Sequence, residues 1–257
     1  MVFKTSIKIT VIKILKKFDG YSTSDVFLME DLGKIFVRKH GNITRNLERY
    51  AELAKLGLRV PKVLAVHDDY YDMEYIPNLD IKAFLAQNQV NELVEFIQTV
   101  IDKLITTADV QDFTDVYRSK LENFDFIKYQ LPFTAEELFD RLPQILPASE
   151  YHGDFTLDNI LFNSKEHKFV LIDPITTEYA SYVFDLAKLR QDLTCKWFIR
   201  DKDVYFDSKL QKISDELNQF EHYNNDYLLI LMLIRVIPYA REDDQKFLIN
   251  EVKKLWK

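Results

Sequence analysis

The sequence predicts an α+β protein of two lobes: a small antiparallel-sheet lobe with one helix, then a larger, mainly helical lobe. Three observations predict it. Up to residue 76, apolar and polar residues alternate in short β-branched runs, and four of the five glycines fall before residue 60, in turn-rich chain. Beyond Pro77 the apolar spacing lengthens to three and four, the period of a helix that buries one face. Inside the helical part, residues 151–173 revert to two short apolar strands around a polar turn. The expected division is 1–76 for the first lobe and 77–257 for the second, working as one unit.

The elements follow in order. Ile7–Val11, Asp25–Met29 and Ile35–Lys39 are expected strands of a meander, with a hairpin turn at Asp31-Leu32-Gly33-Lys34. Leu47, Tyr50, Ala51, Leu53, Ala54 and Leu56 share a helix face over 43–56, and Gly57 ends it. Val60–Val66 and Tyr71–Ile76 are extended. Ile81–Leu85, Val90–Leu104, Phe113–Phe126 and Thr134–Leu142 are helical in pattern. Asn159–Phe162 and Lys168–Ile172 form a hairpin across Asn163–His167, and helices resume after Asp185.

Composition narrows the function classes. A net charge of −7 argues against a nucleic-acid polymer as partner, because phosphate backbones favour basic surfaces. One cysteine, Cys195, rules out an internal disulfide and speaks against a Cys-based zinc site. The first residues interleave lysines with apolar residues, without the continuous apolar stretch of a signal peptide. The apolar run from Leu228 to Ile237 is interrupted by Arg235 and is far shorter than the roughly 20 residues that span a bilayer. The expected setting is the reducing cytoplasm, with no membrane span.

The chemistry concentrates in His152-Gly153-Asp154, Asn159 and Asp173. The Asn stands five residues after the first Asp, and the second Asp fourteen after the Asn. Phosphoryl transfer from ATP needs these groups at about this spacing. One carboxylate meets the acceptor hydroxyl, and an amide oxygen and a second carboxylate hold Mg²⁺ on the phosphates. Asp154 is therefore the candidate base, and Asn159 and Asp173 the candidate metal ligands; two protein ligands suffice for Mg²⁺ when phosphate oxygens complete its shell. Alone, Asp154 would read as a helix-capping loop residue. His152 is expected to pack under the loop, and Gly153 to permit a tight backbone path.

Around this set, Ile35, Val37 and Lys39 share one strand face, in the order that places a lysine on ATP phosphates. Arg38 points the other way unless a bulge exchanges the two. Glu48 on the following helix is the expected partner of Lys39, with Glu52 one turn later as the rival. Ser22 and Thr23, in the turn Phe18–Ser24, are candidates to cover the phosphates, although the segment also reads as a plain hairpin loop. Met73-Glu74-Tyr75-Ile76 is the expected connector, where backbone groups of Glu74 and Ile76 would read the adenine edge.

His152-Gly153-Asp154 with Asn159, followed by Ile172-Asp173-Pro174 and Phe184-Asp185-Leu186-Ala187-Lys188-Leu189, resembles the aminoglycoside phosphotransferase and choline kinase family. Its members are small-molecule kinases with a protein-kinase-like fold. The resemblance is specific over 151–190 and consistent over 7–85. It implies that Asp185 anchors the catalytic loop backbone. Asp-Pro stands where protein kinases have Asp-Phe-Gly, which speaks against a mobile activation segment, and residues 176–183 lack the glycine the family usually carries before this Asp. The segment Asp185–Leu189 further resembles members encoded with bacterial surface-polysaccharide genes. The implied activity is ATP- and Mg²⁺-dependent phosphorylation of a small hydroxylated acceptor, a sugar or amino alcohol, with residues 176–182 and Arg190 beside the acceptor. The alternatives are an aminoglycoside antibiotic kinase and a nucleotide-binding, pseudokinase-like interaction module.

Overall fold

The computed structural model describes residues 12–18, 24–41, 43–87, 89–105, 109–201 and 206–257. The strand expected at Ile7–Val11 and the phosphate-turn candidates Ser22 and Thr23 lie outside the described residues.

The first part is an antiparallel sheet with one helix. Strands β1 (Lys13–Phe18), β2 (Val26–Asp31), β3 (Lys34–His40), β4 (Val63–Val66) and β5 (Tyr70–Glu74) take the order β1-β2-β3-β5-β4. Leu32 and Gly33, at φ 50° and 78°, make the two-residue turn from β2 to β3, because a hairpin turn of this hand needs positive φ at both positions. Strand alternation sets the faces. Val37 and Lys39 of β3 are buried opposite Met73 and Tyr71 of β5, and α1 (Ile43–Lys55) covers them with Tyr50 and Leu53. Arg38 projects from the other face and forms a two-pronged pair with Asp72, at 2.8 and 2.9 Å.

Beyond Glu74 the chain is mostly helical. Strand β6 (Asn78–Leu79) joins β9 (Ile160–Asn163), which pairs with β10 (Lys168–Leu171) in the expected hairpin. Helices α2 (Ile81–Gln87) and α3 (Asn91–Leu104) follow the sequence pattern. Helix α4 (Thr114–Glu122) ends before Phe126, and α5 (Ala135–Phe139) stops short of Leu142, after a capping box in which Thr134 and Glu137 satisfy each other's amides. Pairing of β7 (Val110–Asp112) with β8 (Ile145–Pro147) is an addition to the expected elements.

Helix α6 (Tyr182–Leu193), capped by Ser181, is buried on nearly every side and runs behind the catalytic segment. Helices α7 (Asp207–Leu217), α8 (Asp226–Val236) and α9 (Glu242–Leu255) complete the lobe. The apolar run noted in the sequence is α8, whose residues Leu228–Ile234 are all buried. A helix apolar all round is at home in the centre of a helical lobe. Among the described residues no helix is long and apolar enough to cross a membrane.

Candidate active site

The catalytic segment is a loop held from behind by α6. Gly153 has φ +86°, and a Cβ there would lie 2.0 Å from the Ile175 carbonyl oxygen, so only glycine fits. The Asp185 carboxylate, 1% exposed, accepts the N–H groups of His152 at 2.5 Å and Gly153 at 2.9 Å. Burial pushes its pKa up to about 6 against the lowering effect of these bonds. Two turns on, buried Asp192 accepts the Leu157 N–H at 2.7 Å, and burial pushes its carboxyl up to about 8. Nδ1 of fully buried His152 accepts the Asp154 N–H at 3.3 Å, and burial lowers the ring's pKa to about 4, so the imidazole is neutral.

These bonds present Asp154 at the open side of the loop, with its side chain 41% exposed. The carboxylate forms an ion pair with Lys188 of α6 and accepts from the Asn159 amide at 3.0 Å. Burial alone would raise its pKa; the Lys188 ammonium outweighs burial and holds it below the usual carboxylate range. Asn159 also donates to the Asp154 carbonyl at 2.7 Å, which fixes the amide group.

Asp173 follows β10, and the Ile172 N–H bonds the Asn159 carbonyl at 3.0 Å, so both candidate metal ligands lie at one end of the hairpin. Its φ of 55° is left-handed, a conformation Asp adopts more readily than most residues and one that recurs at functional sites. Its N–H donates to the Tyr50 hydroxyl at 3.0 Å, and its carboxylate, 37% exposed, meets Lys39 Nζ at 2.9 Å. Helix α1 grips the following residues. Asn46 donates to the Pro174 carbonyl at 2.6 Å, Arg45 to that of Thr176 at 2.8 Å, and Arg49 to Glu150 at 2.5 Å and the Tyr151 carbonyl at 3.0 Å.

The model of the phosphotransferase enzyme family matches residues 19–210, three quarters of the chain and all of this site. The chain belongs to that family. As a phosphotransferase of the small-molecule-kinase type, it shares its fold with solved structures of low sequence identity. A thermostable mutant of aminoglycoside phosphotransferase APH(4)-Ia, in ternary complex with AMP-PNP and hygromycin B, superposes with a TM-score of 0.66 at 10% identity, covering 95% of this chain and 93% of that one. A putative fructosamine-3-kinase from Haemophilus somnus gives 0.62 at 12% identity, with 96% and 92% covered. A choline/ethanolamine kinase family protein from Mesorhizobium loti gives 0.56 at 17% identity, with 93% and 87% covered. No curated protein sequence matches the chain.

Within this phosphotransferase, Asp154, Asn159, Asp173, Lys39, His152 and Asp185 come together, and two expected contacts are replaced. Lys39 pairs with Asp173 in place of Glu48 or Glu52. Glu48 is exposed and accepts from the Thr176 hydroxyl at 3.3 Å, while Glu52 pairs with Lys55 at 2.7 Å. The reason is rotation. Helix α1 docks through Asn46, Arg49 and Tyr50, and residues two positions along a helix point to the opposite side. Arg190, expected to flank the acceptor, is buried and pairs with Asp226 of α8 at 2.6 Å. It is two residues from Lys188, so one faces Asp154 and the other faces away.

At the connector, the Glu74 side chain is taken by Arg59, at 2.8 and 3.0 Å, and its amide by the Lys62 carbonyl at 2.8 Å. Ile76 is 3% exposed. Sequence reasoning missed Lys188, Asp192 and Tyr50. The first two were signalled: Asp185, Lys188 and Asp192 stand at i, i+3 and i+7, one stripe of one helix.

Proposed function

We propose that this chain transfers the γ-phosphoryl group of ATP to a hydroxyl of a small polar metabolite, with Asp154 as the base. The observation that carries the reading is the convergence of two lysine–aspartate pairs, Lys188–Asp154 and Lys39–Asp173, with Asn159 between the two carboxylates in sequence and bonded to the first. The acceptor oxygen would bond to the γ-phosphorus as the bond to the bridging oxygen breaks. The electron pair leaves with ADP, and the hydroxyl proton goes to Asp154. Asp154 titrates below the usual carboxylate range, so its role is chiefly to orient the hydroxyl, in a reaction governed by positioning and charge.

The donors present suit Mg²⁺. Among the described residues no group of three or more His, Cys, Asp or Glu could hold a metal ion. An amide oxygen from Asn159 and a carboxylate from Asp173 leave the remaining positions to phosphate and water, as this cation prefers. Bound there, it would neutralise charge on the phosphates. Lys39 would turn from Asp173 to the nucleotide. The base edge would meet the carbonyl of Glu74, whose amide is already used, and the amide of Ile76. Residues 1–76 would then form the nucleotide lobe and 77–257 the acceptor lobe.

An aminoglycoside acceptor is the second reading, favoured by the APH(4)-Ia likeness with its bound hygromycin B. A pseudokinase-like module is disfavoured, because a chain released from catalysis needs none of Asp154, Asn159 and Asp173. The test is ATP consumption by the purified protein across sugars, amino alcohols and aminoglycosides, with the product phosphate located by ³¹P NMR. Turnover of a sugar or amino alcohol is expected. Robust turnover of an aminoglycoside alone would reverse the order of the two readings, and turnover of a peptide alone would reject a small-molecule acceptor.

A further inference from the structure

Asp173 stands in a conformation that its own sequence opposes. Its φ is 55°, in the left-handed region, where residues other than glycine are uncommon. The next residue is Pro174, and a proline drives the residue before it towards extended backbone. Backbone in such a conformation persists only where its surroundings hold it.

Helix α1 supplies the hold. The Tyr50 hydroxyl accepts the Asp173 N–H at 3.0 Å, and the Asn46 amide donates to the Pro174 carbonyl at 2.6 Å. Residues four apart share a helix face, so one face of α1 grips the chain on both sides of the Asp173–Pro174 peptide bond. Both side chains are buried, so water is not at hand to replace either bond. The hydroxyl is fixed in turn. It donates to the Met73 sulfur at 3.8 Å, which leaves its oxygen free to accept the Asp173 amide. Met73 precedes Glu74 in β5, so a single phenol ties the connector strand to a candidate metal ligand. Glu48 bonds Thr176 and Glu52 bonds Lys55, so what α1 brings to the Lys39–Asp173 pair is a phenol and not a carboxylate.

Tyr71 supplies the contrast. Its ring meets that of Tyr50 edge-on at 6.5 Å, and it is fully buried. Its hydroxyl has no hydrogen-bond partner among the described residues.

We infer that Tyr50 is a positioning residue for Mg²⁺: through the Asp173 amide, its hydroxyl sets the direction of the carboxylate that would take the metal. The inference rests on the phosphotransfer reading and adds to it a residue that acts on the metal only through Asp173. Without the bond, Asp173 relaxes towards the backbone that Pro174 favours, and its side chain is re-aimed.

The test is AMP-PNP binding to the full chain by isothermal titration, in EDTA and across a series of Mg²⁺ concentrations. In Tyr50→Phe the ring stays and the hydroxyl goes. Affinity in EDTA should match wild type, while the Mg²⁺ concentration that gives half the full enhancement should rise by about tenfold or more, the usual worth of a group that orients a metal ligand. Tyr71→Phe removes an equally buried hydroxyl that orients nothing, and should keep the wild-type Mg²⁺ requirement. Asn46→Ala releases the other side of the grip and should raise the requirement as Tyr50→Phe does. A wild-type requirement in Tyr50→Phe, an equal rise in Tyr71→Phe, or the same loss of affinity with and without Mg²⁺ would overturn the inference. Tm reports whether each variant is folded; if Tyr50→Phe is not, an unchanged requirement in Asn46→Ala overturns it. Failure of the wild-type chain to bind AMP-PNP, or binding that Mg²⁺ does not strengthen, would instead count against the phosphotransfer reading.

Discussion

The two carboxylates of the site are held in opposite ways. Asp154 belongs to a loop fixed by α6 from within, through Asp185 on two backbone amides, Asp192 on a third and Lys188 on the carboxylate itself. Asp173 projects from a strand end into the cleft, with one phenol on its amide and one ammonium, from β3, on its carboxylate. The supports from Asp185 and Asp192 are buried bonds to backbone amides that no ligand replaces. The Lys39–Asp173 pair unites two groups that a nucleotide and its metal would separate. One side of the site is therefore built before ligand arrives, and the other is built to exchange partners.

Four substitutions can break or sharpen that contrast. Gly153→Ala should have the largest effect. A methyl 2.0 Å from the Ile175 carbonyl at φ +86° forces the loop to move, with a loss of at least about 2 kcal/mol in denaturant melts. If its stability matched wild type, the loop would not be the rigid half. Lys39→Met should leave the melt close to wild type while weakening nucleotide binding by about tenfold or more, the worth of a charged hydrogen bond. Isothermal titration with AMP-PNP and Mg²⁺ measures it, and unchanged affinity would remove Lys39 from the phosphate site.

Lys188→Met tests the pair that is not meant to exchange. Asp154 must be ionised to accept a proton, and Lys188 opposes the upward push of burial. Without Lys188, the acid limb of the kcat/KM profile should move to higher pH. A stationary limb would show that Lys188 does not set the charge of Asp154.

Asp192→Asn should give the smallest effect. An ordinary Asp titrates near 3.9, whereas folded Asp192 is raised to about 8. The native state keeps a proton that the unfolded chain has lost, so this group makes stability fall as pH rises from about 4 to about 8. Asn keeps an acceptor for the Leu157 amide and should flatten that decline in Tm. An unchanged slope would remove Asp192 as its source.

The same contrast explains what the sequence made legible. The motif from His152 to Asp173 carries its own spacing, and alternation along β3 separates Lys39 from Arg38. These are local patterns. The partner of Lys39 was not legible, because the pattern of α1 permits more than one rotation. The bonds that choose it, from Asn46 and Arg45 to residues 174 and 176, span more than 100 positions of sequence. The pairing of Arg190 was not legible for the related reason that its partner, Asp226, lies on another helix. The pairing of β7 with β8 was hidden because three-residue strands carry almost no periodicity. Lys188 was readable from its spacing to Asp185 once that residue is set against the loop.

The central claim is that Asp154 serves the acceptor hydroxyl while Lys39, Asn159 and Asp173 serve the nucleotide. Asp154→Asn, assayed in parallel for AMP-PNP affinity and for ³¹P-detected turnover, tests it most directly. The account predicts unchanged nucleotide affinity with turnover reduced by at least about a hundredfold. Turnover within a few fold of wild type would contradict it.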